Sequence, residues 1–109
     1  MSRLKFNPPI HPGEILREEY LAPLQLKPYT LAKKLEVPRT RIERLVNEHT
    51  PVTPDTALRL ARFFGTTPQF WMNMQVGYDI AIEANAKKAD LDRIEPLAEV
   101  AALAKRRVA

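Results

Sequence analysis

Ten prolines in 109 residues constrain this chain more than any other feature, because each one resists a helix or strand interior and suits a helix start. Proline has no N–H and a fixed φ, which fits the first helical position, where an N–H would lack an intrahelical acceptor anyway. Pro12, Pro28, Pro38, Pro54 and Pro68 each precede apolar residues at helical spacing. The chain is thereby cut into short helices, and no strand-like alternation is long enough to compete with them.

In HPGEILREEYLAPL, Pro12 can occupy the first turn and Glu14 lies three residues after His11, a half-formed capping box. Ile15, Leu16, Tyr20 and Leu21 form one apolar face, and Pro23 is expected to end a helix over about 12–21. Pro28 opens a second helix with Leu31, Ala32 and Leu35 inward, and Glu36-Val37 makes a turn. Pro38 opens a third with Ile42, Leu45 and Val46 inward and Arg39, Thr40, Arg41 and Arg44 largely outward. Thr53 caps and Pro54 starts a fourth, in which Ala57, Leu58, Leu60, Ala61 and Phe64 are expected to bury and Gly65 to close the helix in a left-handed conformation. Thr67 and Pro68 repeat that start for a fifth helix over about 68–84.

The fifth helix carries two apolar stripes. Trp71, Met74, Tyr78 and Ile82 lie along one face, expected to be core, while Met72, Val76 and Ile80 form a second at spacing four. The second stripe is either the rest of a wide buried face or an interface with a second copy or another partner. The tail ADLDRIEPLAEVAALAKRRVA is spaced like a further helix and could cover that stripe internally. Its end, Lys105, Arg106 and Arg107, suits a helix C-terminus electrostatically. The expected organisation is all-α: an extension over 1–10, a five-helix domain over 11–84 and a helical tail over 85–109.

Composition narrows the function classes. No cysteine is present, which removes disulfides and thiolate metal sites, and the only histidines, His11 and His49, lack the HExxH pairing that holds zinc. No cofactor, metal or small-molecule ligand is expected, and no nucleophile stands at a plausible spacing from a base, so the reading is not an enzyme. The start MSRLKFNPPI has no apolar core of a signal peptide and no run approaches the ~18 residues of a membrane span, so a cytoplasmic location is expected. A formal net charge of +4 is consistent with a polyanionic partner.

Two short helices joined by a tight turn, the second with exposed donors in its first turn, are how a helix-turn-helix offers side chains to the DNA major groove. Arg39 and Thr40 occupy that first turn, and Arg44 lies about one turn later on the same side. Arginine donates twice to guanine O6 and N7, a contact that discriminates by ~1 to 3 kcal/mol. These three residues are the candidate base readers. Lys33, Lys34, Arg41, His49 and Thr50 are candidate contacts to the DNA backbone, joined by the amides at the start of the second helix.

The segments NPPIHPGEILREEYLAPL, TLAKKLEVPRTRIERLVN and TPDTALRLARFFGTTPQFWMNMQVGYDI occur in an order and spacing that resembles the HigA family of antitoxins, also called virulence-associated protein I, in the lambda-repressor-like Xre group. The resemblance covers about residues 7 to 80. It implies a dimeric repressor that binds a palindrome in its own promoter and neutralises a HigB-like toxin, a RelE-type ribonuclease that cleaves messenger RNA on ribosomes. The family's groove-facing positions fall on Arg39, Thr40 and Arg44. Two departures stand out: Glu36 and Glu48 replace the family's usual glycines. Either those turns are adjusted or two non-glycine residues adopt positive φ, and Glu48 puts a negative charge where the family's loop approaches phosphate. A stand-alone Xre-type regulator without a toxin is the alternative, and a neighbouring reading frame for a small basic protein would separate the two.

Overall fold

The computed structural model describes residues 9–100 and 102–103, and every regular element among them is helical. Helix α1 spans 12–24 in three segments: an α-helical start at Pro12–Ile15, a π-helical stretch at Leu16–Leu21 and a closing turn at Ala22–Leu24. It is followed by α2 (Pro28–Leu35), α3 (Arg39–Val46), α4 (Pro54–Phe64), α5 (Pro68–Ala86) and a short α6 (Lys88–Asp92). Lys105, Arg106 and Arg107 lie outside the described residues.

Pro12, Pro28, Pro54 and Pro68 each begin their helix, and Thr53 and Thr67 cap α4 and α5 by accepting from the N–H of Thr56 and Phe70. Pro23, expected to end α1, lies inside its last turn instead. A proline cannot donate to the carbonyl four residues back and crowds it, so α1 widens: Ala22 N–H donates to Arg17 O, five residues back. Gln25, at φ 52°, then closes the helix.

One core fills the space between α1 and α5. Leu16, Leu21, Leu31, Ala32, Leu35, Ile42, Leu45, Val46, Val52, Ala57, Leu60, Ala61 and Trp71 are all buried. Trp71 anchors it, with Nε1 donating to Thr66 Oγ1 at 2.8 Å and its ring 5.2 Å from that of Tyr20. Leu58 is a correction: expected in the core, it is 58% exposed. It shares its stripe with Asp55 three residues before and Arg62 four residues after, which is the solvent face of α4.

The two stripes of α5 are resolved unevenly. On the first, Trp71 is fully buried and Met74 packs against the core, but Ile82 is 43% exposed because the helix outruns the bundle. On the second, Met72 packs against the core whereas Val76 and Ile80 stand exposed. Gln75 is the buried polar residue between them, its Oε1 accepting from Val52 N–H at 2.8 Å and its Nε2 donating to Asp79 at 2.9 Å. Among the described residues the tail does not bury its apolar positions against that stripe: Leu91, Ile94, Leu97, Val100 and Leu103 are each about half exposed or more. A radius of gyration of 18.1 Å, against about 13 Å for a compact chain of this length, reflects this extended end.

His11 ties three parts of the bundle together. It is buried, its Nδ1 accepts from Gly13 N–H at 2.9 Å, and its ring meets Tyr78 edge-on at 4.8 Å. Burial lowers its pKa from the ordinary 6.5, partly opposed by Glu48, Asp79 and the Thr50 backbone. The unfolded chain therefore binds this proton more readily than the folded one, so stability is full at neutral pH and declines as pH falls below about 6.5. The melting temperature is expected to drop between about pH 7.5 and 5.5, and His11→Asn, which supplies an oxygen acceptor in place of Nδ1 but does not titrate, is expected to remove that part of the drop. Melts followed by circular dichroism check this; an unchanged pH slope in the variant places the titration elsewhere.

Candidate nucleic-acid interface

The turn between α2 and α3 forms without glycine. Glu36 takes φ 60°, and the N–H groups of Glu36 and Val37 close the end of α2 on the carbonyls of Lys33 and Ala32 at 3.2 and 3.0 Å. Glu48 does the same after α3 at φ 63°, with its own N–H and that of His49 on Leu45 and Arg44. Both expected glycine positions therefore keep the left-handed geometry, and each non-glycine residue there costs about 1 kcal/mol. The strain is accepted; the turns are not rebuilt.

Arginines from outside the pair secure its helix ends. Arg59 on α4 donates from Nη1 to Leu35 O at 2.8 Å, the last carbonyl of α2. Arg17 on α1 donates to Val46 O, the last carbonyl of α3, and lies 3.3 Å from Glu48. The negative charge of Glu48 is thus met by Arg17. No spacing rule in the sequence marks either arginine, because both pairings join distant segments of the chain.

The opposite ends are open. His11, Thr53 and Thr67 cap α1, α4 and α5 with a side-chain acceptor, whereas α2 and α3 have no side-chain cap and no acidic residue in the first turn. An uncapped helix start presents N–H donors and the positive end of the helix dipole, a ready site for phosphate. Here the first turn of α3 adds two arginines to that field.

All three candidate base readers, Arg39, Thr40 and Arg44, are exposed on α3, while Ile42, Leu45 and Val46 fix its other face to the core. Arg39 pairs with Glu43, and its guanidinium lies over the Tyr29 ring. Arg44 has no acidic partner among the described residues. Arg41 turns toward α4, where Asp55 accepts from it and from Arg59; the two guanidinium groups hold the Asp55 carboxyl below its ordinary pKa. Lys33 and Lys34 are exposed in the last turn of α2, and Lys34 borders a groove with Leu58, Arg62 and Phe63. His49 is exposed and Thr50 half-buried in the loop after α3. Met72, Val76 and Ile80 lie on α5, outside this surface.

Among the described residues no cluster of His, Asp or Glu could hold a metal ion, and no helix is long and apolar enough to cross a membrane.

A helix-turn-helix family model matches residues 18–71. Virulence-associated protein I of Dichelobacter nodosus is 51% identical over 90 residues, covering 83% of this chain and 82% of its own. Antitoxin HigA-1 of Vibrio cholerae is 32% identical over 89 residues, covering 82% of this chain and 84% of its own. The solved structure of the Pseudomonas aeruginosa antitoxin HigA with the higBA promoter superposes with a TM-score of 0.79 at 42% identity, covering 82% of this chain and 98% of that one. With its five-helix domain, its α2–α3 pair and these relatives, the chain belongs to the HigA family of helix-turn-helix proteins, which includes virulence-associated protein I.

Proposed function

We propose that this protein is the antitoxin of a type II toxin–antitoxin pair, which represses its own operon as a homodimer on a palindromic operator and neutralises a HigB-like, RelE-type mRNA-cleaving toxin in the cytoplasm. The observation that carries the DNA half is the start of α3: uncapped, bearing Arg39 and Thr40, with Arg44 one turn on and the far face locked to the core. A HigA relative of the same fold has been solved with promoter DNA. The toxin half rests on family membership.

In this reading Arg39, Thr40 and Arg44 read base edges, while Lys33, Lys34, Arg41, His49, Thr50 and the amides of α2 position the duplex. A palindrome requires two reading helices ~34 to 36 Å apart. Val76 and Ile80, with Met72 at the edge of the core, supply an apolar dimer face on α5 that leaves α3 free. Residues 11–84 form the DNA-binding unit, between the extension 1–10 and the tail 85–109. No residue is given a catalytic role.

Fluorescence anisotropy with the DNA upstream of the protein's own reading frame tests this directly. A preference of about 10³-fold or more over a scrambled duplex is expected, with affinity falling linearly on a log–log plot against salt. Equal affinity for the two duplexes at physiological salt overturns the reading. Lys34→Ala is expected to weaken both duplexes alike and to reduce the salt slope by about 1. For the second half, co-expression with a small basic protein encoded alongside should relieve that protein's toxicity; failure to do so favours a stand-alone regulator.

A further inference from the structure

The first residue of α3 is held on two sides. Arg39 Nε donates to Glu43 Oε2 at 3.0 Å, and Nη2 lies 2.9 Å from the same oxygen. The guanidinium carbon sits 5.7 Å from the centroid of the Tyr29 ring, which projects from the first turn of α2. One edge of the guanidinium is therefore occupied, and the group lies over the face of the tyrosine ring. The fork that ends in Nη1 has no partner among the described residues.

Fold stability does not account for this arrangement. An arginine at the first position of a helix meets the positive end of the dipole, and an ion pair with the cation on the N-terminal side is the less favourable order at this spacing. The Arg39 side chain is 68% exposed and that of Glu43 37%, so the pair stabilises the fold little. Tyr29 is itself half exposed, an aromatic ring kept on the surface beside the reading helix. Bidentate recognition of guanine needs a planar fork already aligned with the base edge, and ordering a free arginine on binding costs conformational entropy.

We propose that Tyr29 and Glu43 are positioning residues that set sequence specificity, holding the Arg39 guanidinium so that its open fork meets a guanine edge. The inference rests on Arg39 being a base reader. Glu43 has a second effect: its carboxylate lies beside the phosphate-facing start of α3 and lowers affinity for DNA of any sequence, which widens the gap between operator and random DNA.

Titration of the upstream palindrome and of duplexes with single base-pair substitutions, at one salt concentration, tests this with full-length Tyr29→Leu, Tyr29→Phe, Glu43→Ala and Arg39→Ala. Arg39→Ala should abolish the preference at one position of each half-site. Tyr29→Leu should reduce the preference at that same position about threefold, and Tyr29→Phe, which keeps the ring face, should restore it. Glu43→Ala should lower the preference while raising affinity for scrambled DNA, a combination that loss of folding cannot give. If Tyr29→Leu and Glu43→Ala both retain the preference that Arg39→Ala loses, the positioning role is wrong although the reader is right. If Arg39→Ala changes no base preference, the reader assignment fails and the positioning role falls with it.

Discussion

Replacing Gly13 with alanine should destabilise the domain by about 3 kcal/mol and lower its melting temperature by roughly 10 to 20 °C. In an ordinary helix the same change stabilises by up to about 1 kcal/mol, because alanine is the better helix former. Here the sign reverses. A Cβ on Gly13 would lie 1.9 Å from the carbonyl oxygen of Leu45 and 2.9 Å from its carbon. Those are backbone atoms of α3, so no side chain can swing aside, and α1 has to retreat from the reading helix. His11, whose Nδ1 accepts from the Gly13 N–H, would move with it. The thermal midpoint followed by circular dichroism decides the matter; a variant melting within about 2 °C of the parent would mean that α1 and α3 separate freely.

Arg44→Ala should leave the fold nearly intact and cost about 1 to 3 kcal/mol of discrimination at one base pair, roughly a fivefold to 150-fold loss. Arg44 is exposed on α3, one turn beyond Thr40, and among the described residues no carboxylate pairs with it. Its stability contribution is limited to a favourable charge near the C-terminal end of a short helix, a few tenths of a kcal/mol. Titration against single-substituted operator duplexes should therefore show a loss confined to one position in each half-site. A uniform loss across all sequences, with a smaller salt slope, would instead make Arg44 a phosphate contact.

Helix starts were legible in the sequence because they depend on local rules. A proline with a threonine before it marks the starts of α4 and α5, and periodicity alone identified Leu31, Ala32, Leu35, Ile42, Leu45 and Val46 as the inner face of the α2–α3 pair. What escaped depends on contacts between distant segments. Leu58 was assigned inward by hydrophobicity although its helical neighbours Asp55 and Arg62 place it outside. Gly13 looks like an ordinary first-turn glycine until α3 lies against it.

The surface offered to DNA was read from the outward positions of α3, but its supports were not. Arg17 on Val46 O and Arg59 on Leu35 O link residues 29 and 24 apart in the chain, and no spacing rule connects them. The Arg39–Glu43 pair follows from its four-residue spacing, but a reading that assigns Arg39 to a base does not look for its partner on the same helix. The exposure of Val76 and Ile80 depends on where the bundle ends relative to a 19-residue helix, which the apolar pattern of that helix does not encode.

The uncapped starts of α2 and α3 blur the line between folding and binding. In α1, α4 and α5 the chain supplies its own acceptors for the first-turn N–H groups, from His11, Thr53 and Thr67. On the DNA-binding mode proposed above, a phosphate takes that place in the helix-turn-helix. On that mode the nucleic acid acts as a missing residue of the protein: Arg59 and Arg17 already close the far ends of the two helices, and their first turns are completed only in the complex.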